Sequence, residues 1–183
     1  MRARRIRCVL VVAALLFGLS PQATSAHDHR PPPSPLLTVG DQDQRGRWMS
    51  SAWARSDPPY CVVTFGHALW SFPTAARYTE GSPATIKLRK AAPPREVQLL
   101  AWRRVNRRGA PRGAAEPIPT AIVPVVGSSG AVKAWELTFV SPPQAEHLYL
   151  ALRVYWADED GCGGQADIGS QNATWTFHLR PRG

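Results

Sequence analysis

Leu148-Tyr149-Leu150-Ala151-Leu152-Arg153-Val154-Tyr155-Trp156 is followed, after an acidic and glycine-rich turn, by Asn172-Ala173-Thr174-Trp175-Thr176-Phe177-His178-Leu179. In the first run Leu148, Leu150, Leu152, Val154 and Trp156 recur at every second position. Trp175, Phe177 and Leu179 do the same in the second. A strand sends alternate side chains to opposite faces, so both runs read as half-buried strands of one antiparallel sheet. The turn between them carries Asp158, Glu159, Asp160, Gly161 and Cys162.

Working outward from this pair, five more segments alternate or are rich in β-formers, and each is bounded by turn residues. Tyr60 to Phe65 follows Asp57-Pro58-Pro59, Ala84 to Lys90 follows Gly81-Ser82-Pro83, and Glu96 to Val105 runs into Asn106-Arg107-Arg108-Gly109. Ile118 to Val126 stops at Gly127-Ser128-Ser129-Gly130, and Ala131 to Val140 stops at Ser141-Pro142-Pro143. In the last of these Trp135, Leu137 and Phe139 share a face. Pro119 and Pro124 make Ile118 to Val126 an edge strand, because proline cannot donate to a ladder. About seven strands, no long helical pattern and no internal repeat predict an all-β chain folded as a single two-layer antiparallel β-sandwich. In strand number and rhythm the arrangement resembles the immunoglobulin and fibronectin type III class, a resemblance of architecture across roughly Tyr60 to Leu179.

The amino-terminal residues have a different purpose. Arg2, Arg4, Arg5 and Arg7 precede an apolar run from Val9 to Leu19, and Thr24 and Ala26 are the small residues of a signal-peptidase site. Residues 1–26 therefore read as a cleaved signal peptide, too short in its apolar run to span a membrane. The chain is expected to be secreted or extracytoplasmic. Residues 27–56, which open His27-Asp28-His29-Arg30 and continue through a proline cluster, read as a proline-rich tether. Trp48, Met49 and Trp53 suggest a short helix within it. Residues 57–183 are the expected sandwich domain. Cys8 leaves with the leader, and Cys61 and Cys162 remain. In an oxidising compartment two cysteines are most simply one disulfide, and their separation excludes a Cys-x-x-Cys or zinc pair. A bridge closing about 100 residues stabilises by roughly 4–5 kcal/mol through the unfolded state. Unlike the strand-borne pair of an antibody domain, Cys162 sits in a turn, so the bridge is expected to clamp that turn to the first strand of the domain.

Removing the leader takes four of 22 basic residues and none of the 13 acidic ones, so the formal charge falls from +9 to +5. Export makes nucleic acid an unsuitable partner. An anionic cell-wall polymer or a surface protein fits the charge better. The basic density is highest at Arg103-Arg104-Val105-Asn106-Arg107-Arg108-Gly109-Ala110-Pro111-Arg112. Guanidinium groups match phosphate and carboxylate geometry, so Arg103, Arg104, Arg107, Arg108 and Arg112 form the candidate ligand-binding segment, with Trp102 beside them. If Trp102 points away from Val97, Leu99 and Ala101 it is either a stacking surface or, with Leu100, part of a second buried face.

Two metal readings also arise. Cleavage after Ala26 leaves His27-Asp28-His29 as the terminus, whose amine, amide and imidazole nitrogens suit square-planar Cu(II). Alternatively, the His27 amine and ring hold copper with a third ligand from His67, His147 or His178. In that terminal tripeptide and in fold class the chain is similar to exported copper-carrier proteins. Asp158 and Asp160 cluster carboxylates of the kind calcium accepts, but aligning them to the helix-loop-helix calcium pattern places Trp156 where its first carboxylate belongs. No cofactor is expected, with copper arising only in the alternative reading. Catalytic signatures are lacking: Ser128-Ser129-Gly130 is turn chemistry, and no Gly-x-Ser-x-Gly, His-Glu-x-x-His or phosphate-cradling glycine loop occurs. The functional expectation is a non-catalytic binding domain acting at or outside the cell surface, with Cu(II) binding as the alternative.

Overall fold

A computed structural model describes residues 33–57, 60–90, 92–142, 147–156 and 171–182. They form two antiparallel sheets packed face to face, without a helix among the described residues. The strands are β1 (Leu36–Val39), β2 (Gln42–Arg45), β3 (Arg47–Asp57), β4 (Tyr60–His67), β5 (Ala76–Tyr78) and β6 (Pro83–Leu88). There follow β7 (Pro94–Trp102), β8 (Glu116–Pro117), β9 (Ala121–Val126), β10 (Val132–Val140), β11 (Leu148–Trp156) and β12 (Gln171–Pro181). The smaller sheet has the order β2-β1-β6-β10-β9, the larger β4-β3-β12-β11-β7-β8, and β5 adds a short parallel pairing to the end of β12.

The β11–β12 pair is the middle of the larger sheet, and its register is continuous from Leu148 opposite Leu179 to Trp156 opposite Gln171. The period-two residues do what alternation requires of them. Leu150, Leu152, Val154, Phe177 and Leu179 are all 0 % exposed, and they meet Leu37, Ile86, Leu137 and Phe139 from the smaller sheet in one core. Each such side chain stabilises the fold by about 1.5–3 kcal/mol through removal of apolar surface from water. β9 is the edge strand expected from Pro119 and Pro124. It begins only at Ala121, and its Val123 and Val126 are exposed.

Three expectations change. Residues 36–56, expected to lie in the tether and its short helix, form β1, β2 and nearly all of β3 instead. Gly40 takes a positive φ of 58° at the turn that folds β1 onto β2. β3 gains partners on both sides, β12 and β4, so Trp48 and Met49 face opposite sides of a sheet rather than sharing a helical stripe: Met49 is buried and Trp48 exposed. Tertiary pairing overrides the weak local pattern here. Strand number is the second change, twelve among the described residues where about seven were expected, because short pieces such as β5 and β8 carry little sequence signal. The third concerns β12, which is not half-buried: Thr174 and Thr176, on the face turned from the core, are buried as well.

One glycine lets the link between β2 and β3 pass close to β12. A Cβ on Gly46 would stand 2.8 Å from the Phe177 ring and 3.1 Å from Trp175 Cβ. Its amide donates to the Pro35 carbonyl at 2.8 Å.

Candidate functional site

The cover over Thr176 belongs to residues 70–75, the irregular segment between β4 and β5. This strap crosses the outer face of the larger sheet, and three cross-strand neighbours lie beneath it. Trp102 on β7 is opposite Tyr149 on β11, and Tyr149 is opposite His178 on β12. The strap answers them in order. Trp70 packs edge-on against Trp102 with centroids 5.5 Å apart, and Phe72 packs edge-on against Tyr149 at 5.0 Å. The Pro73 backbone lies beside the His178 ring and favours its charged form. Thr176 Oγ1 donates to the Ser71 carbonyl at 2.5 Å, and Gln44 Nε2 donates to the Thr74 carbonyl at 2.5 Å. Trp102 is thus part of a second covered face rather than an open stacking surface.

Gln44 also ties down β12. Its Nε2 donates to the His178 carbonyl and its Oε1 accepts from the His178 amide, both at 3.0 Å. Beside this clamp, His147 Nδ1 lies 2.9 Å from His178 Nε2. Tyr149 stacks on the His178 ring, 4.4 Å between centroids and 12° between planes. Burial, reinforced by His147 and Arg180 and opposed by the Pro73 backbone, pushes the His178 imidazole below its ordinary range.

At the other end of the strap stands the arginine hairpin. Beyond Trp102 the chain turns back through a Val105–Pro111 bridge, and Arg112 N donates to the Arg104 carbonyl at 3.0 Å. Asn106 organises the tip. Its side-chain oxygen accepts from the amides of Arg108 at 2.8 Å and Ala110 at 3.0 Å, and its backbone carbonyl accepts from Gly109 at 2.9 Å. This is the local bonding that makes asparagine a turn former. Gly109 has φ of 80°, and a Cβ there would stand 3.0 Å from the Trp70 carbonyl oxygen, so the tip rests on the strap. Backbone freedom and lack of a side chain are both needed at this position.

The hairpin exposes Arg103, Arg104, Arg107, Arg108 and Arg112. Arg103 is drawn off to Glu116 on β8, 3.4 Å away. The other four have no carboxylate partner among the described residues. Val105, Asn106, Arg107, Arg108 and Arg112 line an open depression of about 630 Å³. Five arginines close in sequence are therefore divided in space: one is neutralised, and three share a concave surface with no acidic residue among its described lining. The depression can accept an anion.

Sequence reasoning singled out the hairpin and Trp102 but not the strap, Gln44 or Tyr149. A signal was present in Trp70-Ser71-Phe72-Pro73, since two aromatics in a segment without strand period need cover from somewhere else in the fold. Of the metal expectations, His27, His29, Asp158 and Asp160 lie outside the described residues, and so does Cys162, the expected partner of Cys61. Cys61 itself lies in β4 opposite Ser56. His67, also in β4, is opposite Ser50, which in turn is opposite Thr174, two strands across and four residues along from His178. Among the described residues no group of three or more His, Cys, Asp or Glu side chains is placed to hold a metal, and no helix is long and apolar enough to cross a membrane. No family model, curated protein or solved structure matches the chain.

Proposed function

We propose that the chain is a non-catalytic extracytoplasmic binding domain of the immunoglobulin-like sandwich type, and that its arginine hairpin receives phosphate or carboxylate groups of an anionic polymer at the cell surface. The observation that carries this reading is the depression lined by Arg107, Arg108 and Arg112 with no carboxylate among its described lining. Like charges held together on a rigid tip repel one another, and a bound anion relieves that repulsion. Each guanidinium offers a planar fork of donors to an oxyanion. Such hydrogen bonds to charged groups contribute about 1.5–3 kcal/mol each, so three arginines support useful affinity even from a shallow surface. The fixed turn limits the ordering entropy lost on binding.

Retention of the chain on cell-wall fractions tests the reading. Binding is expected to weaken steeply as salt rises, because exposed charges are screened within about 8 Å at physiological ionic strength. It is expected to fall at least tenfold when Arg107, Arg108 and Arg112 are replaced together by alanine. Retention that ignores both salt and the triple substitution contradicts it.

A further inference from the structure

His147 and His178 have no part in anion binding, yet their rings are arranged with unusual care. His147 Nδ1 and His178 Nε2 are 2.9 Å apart and the ring centroids 5.1 Å apart, the spacing of two imidazoles facing nitrogen to nitrogen. With both rings neutral, one donates to the other across this contact. Tyr149 stacks on both rings, at 4.4 Å from His178 and 6.0 Å from His147. Gln44 holds the backbone of His178 on both its amide and its carbonyl. A ring held by stacking on a fixed backbone, with one nitrogen aimed at a defined point, has the kind of outer support that orients metal-ligating histidines.

We propose that His147 and His178 form a two-histidine site for a transition-metal cation of the imidazole-binding class, Cu(II) foremost, with the cation in the place of the shared proton. Metal–imidazole bonds are about 2.0–2.1 Å long, so nitrogens at roughly 90° on one ion stand about 2.9 Å apart. The separation already fits adjacent positions of a tetragonal ion, and the rings need to turn until their lone pairs converge. His147 stands just before β11, where one side of the pair is not fixed by strand pairing. Whichever ring donates frees its lone pair by moving the proton to its other nitrogen, so both rings stay neutral and no proton is released. Two neutral nitrogens without a carboxylate do not suit calcium or magnesium. With imidazole ligands Cu(II) binds ahead of Ni(II) and Zn(II). Both rings are half-exposed, which leaves the remaining coordination positions to solvent. The site is independent of the arginine hairpin and separate from the terminal His27 and His29.

Titration of Cu(II) into the chain beginning at His27, followed by calorimetry and electron paramagnetic resonance, tests the proposal. Expected is an ion bound through two imidazole nitrogens, with affinity lowered at least tenfold by His178→Ala and by His147→Gln and retained in the His27→Ala, His29→Ala double variant. A thermal melt of each variant shows that the fold persists, and His147→Gln, at the more open position, remains informative where His178→Ala unfolds. Copper binding that is lost in the terminal double variant and unchanged in His147→Gln overturns the proposal and moves the ion to the amino terminus. Absence of any bound copper overturns it as well, leaving the pair as a hydrogen bond only.

Discussion

The two faces of the larger sheet are both covered, but by different means. The inner face is Leu150, Leu152, Val154, Trp175, Phe177 and Leu179 against a second sheet, and its cover is apolar and extensive. On the outer face Trp102, Tyr149 and His178 are met one by one by Trp70, Phe72 and Pro73 of a single irregular strap. The inner cover rests on area, which tolerates change in detail so long as volume is kept. The outer cover rests on specific hydrogen bonds to Gln44 and Thr176, so single polar substitutions can undo it. The first face holds the domain together, and the second positions the hairpin and the histidine pair.

Leu150→Ala sharpens the comparison most. It opens a cavity in a site that is 0 % exposed, and buried Leu→Ala changes cost about 2–5 kcal/mol. Chemical denaturation is expected to show that loss in global stability, with binding by the hairpin affected only through the unfolded fraction.

Gln44→Ala is expected to act on the other face with a smaller global effect. It removes the partner of the Thr74 carbonyl and of both His178 backbone groups, and stranding such groups costs about 1–3 kcal/mol. Hydrogen exchange is the suitable measurement, with faster exchange expected at the His178 amide and in the strap, while the Leu150 and Leu152 amides stay protected. Equal loss of protection on both faces breaks the distinction between them.

How much of this was legible follows from the same contrast. β6, β7, β10, β11 and β12 announce themselves because only one face of each enters the apolar core, which imposes a period of two on their apolar residues. Val97, Leu99 and Ala101 gave the inner side of β7 for the same reason. The strap has no period, because its aromatics are placed by the Ser71 and Thr74 carbonyl bonds to distant β12 and β2. β1 and β2 were hidden inside a segment read as tether, although Gly40-Asp41 between Leu36–Val39 and Gln42–Arg45 is the two-residue turn of a hairpin. The arginines were visible as a run. Their division into one paired with Glu116 and three around a depression depended on Asn106 and on the return of the chain along β7.

The smallest expected effect concerns Tyr78, a member of the inner core at the end of β5. Burial, and then the Glu80 charge, raise its hydroxyl above the ordinary value of 10.0, with Arg103 opposing. The folded chain then holds that proton more tightly than the unfolded chain does. Its stability contribution is fully present below about pH 10 and is lost as the pH rises through the folded value. An alkaline melt series is expected to show this loss, and Tyr78→Phe is expected to flatten it.

The most direct test of the central claim, that the hairpin resting on the strap is the binding surface, is amide chemical-shift mapping of the full chain titrated with polyphosphate. The account predicts perturbations concentrated at Arg104 to Arg112 and extending to Trp70, with the inner-face strands unchanged. Perturbations confined to β9 and β10, or none at the hairpin while polyphosphate binds, would contradict it.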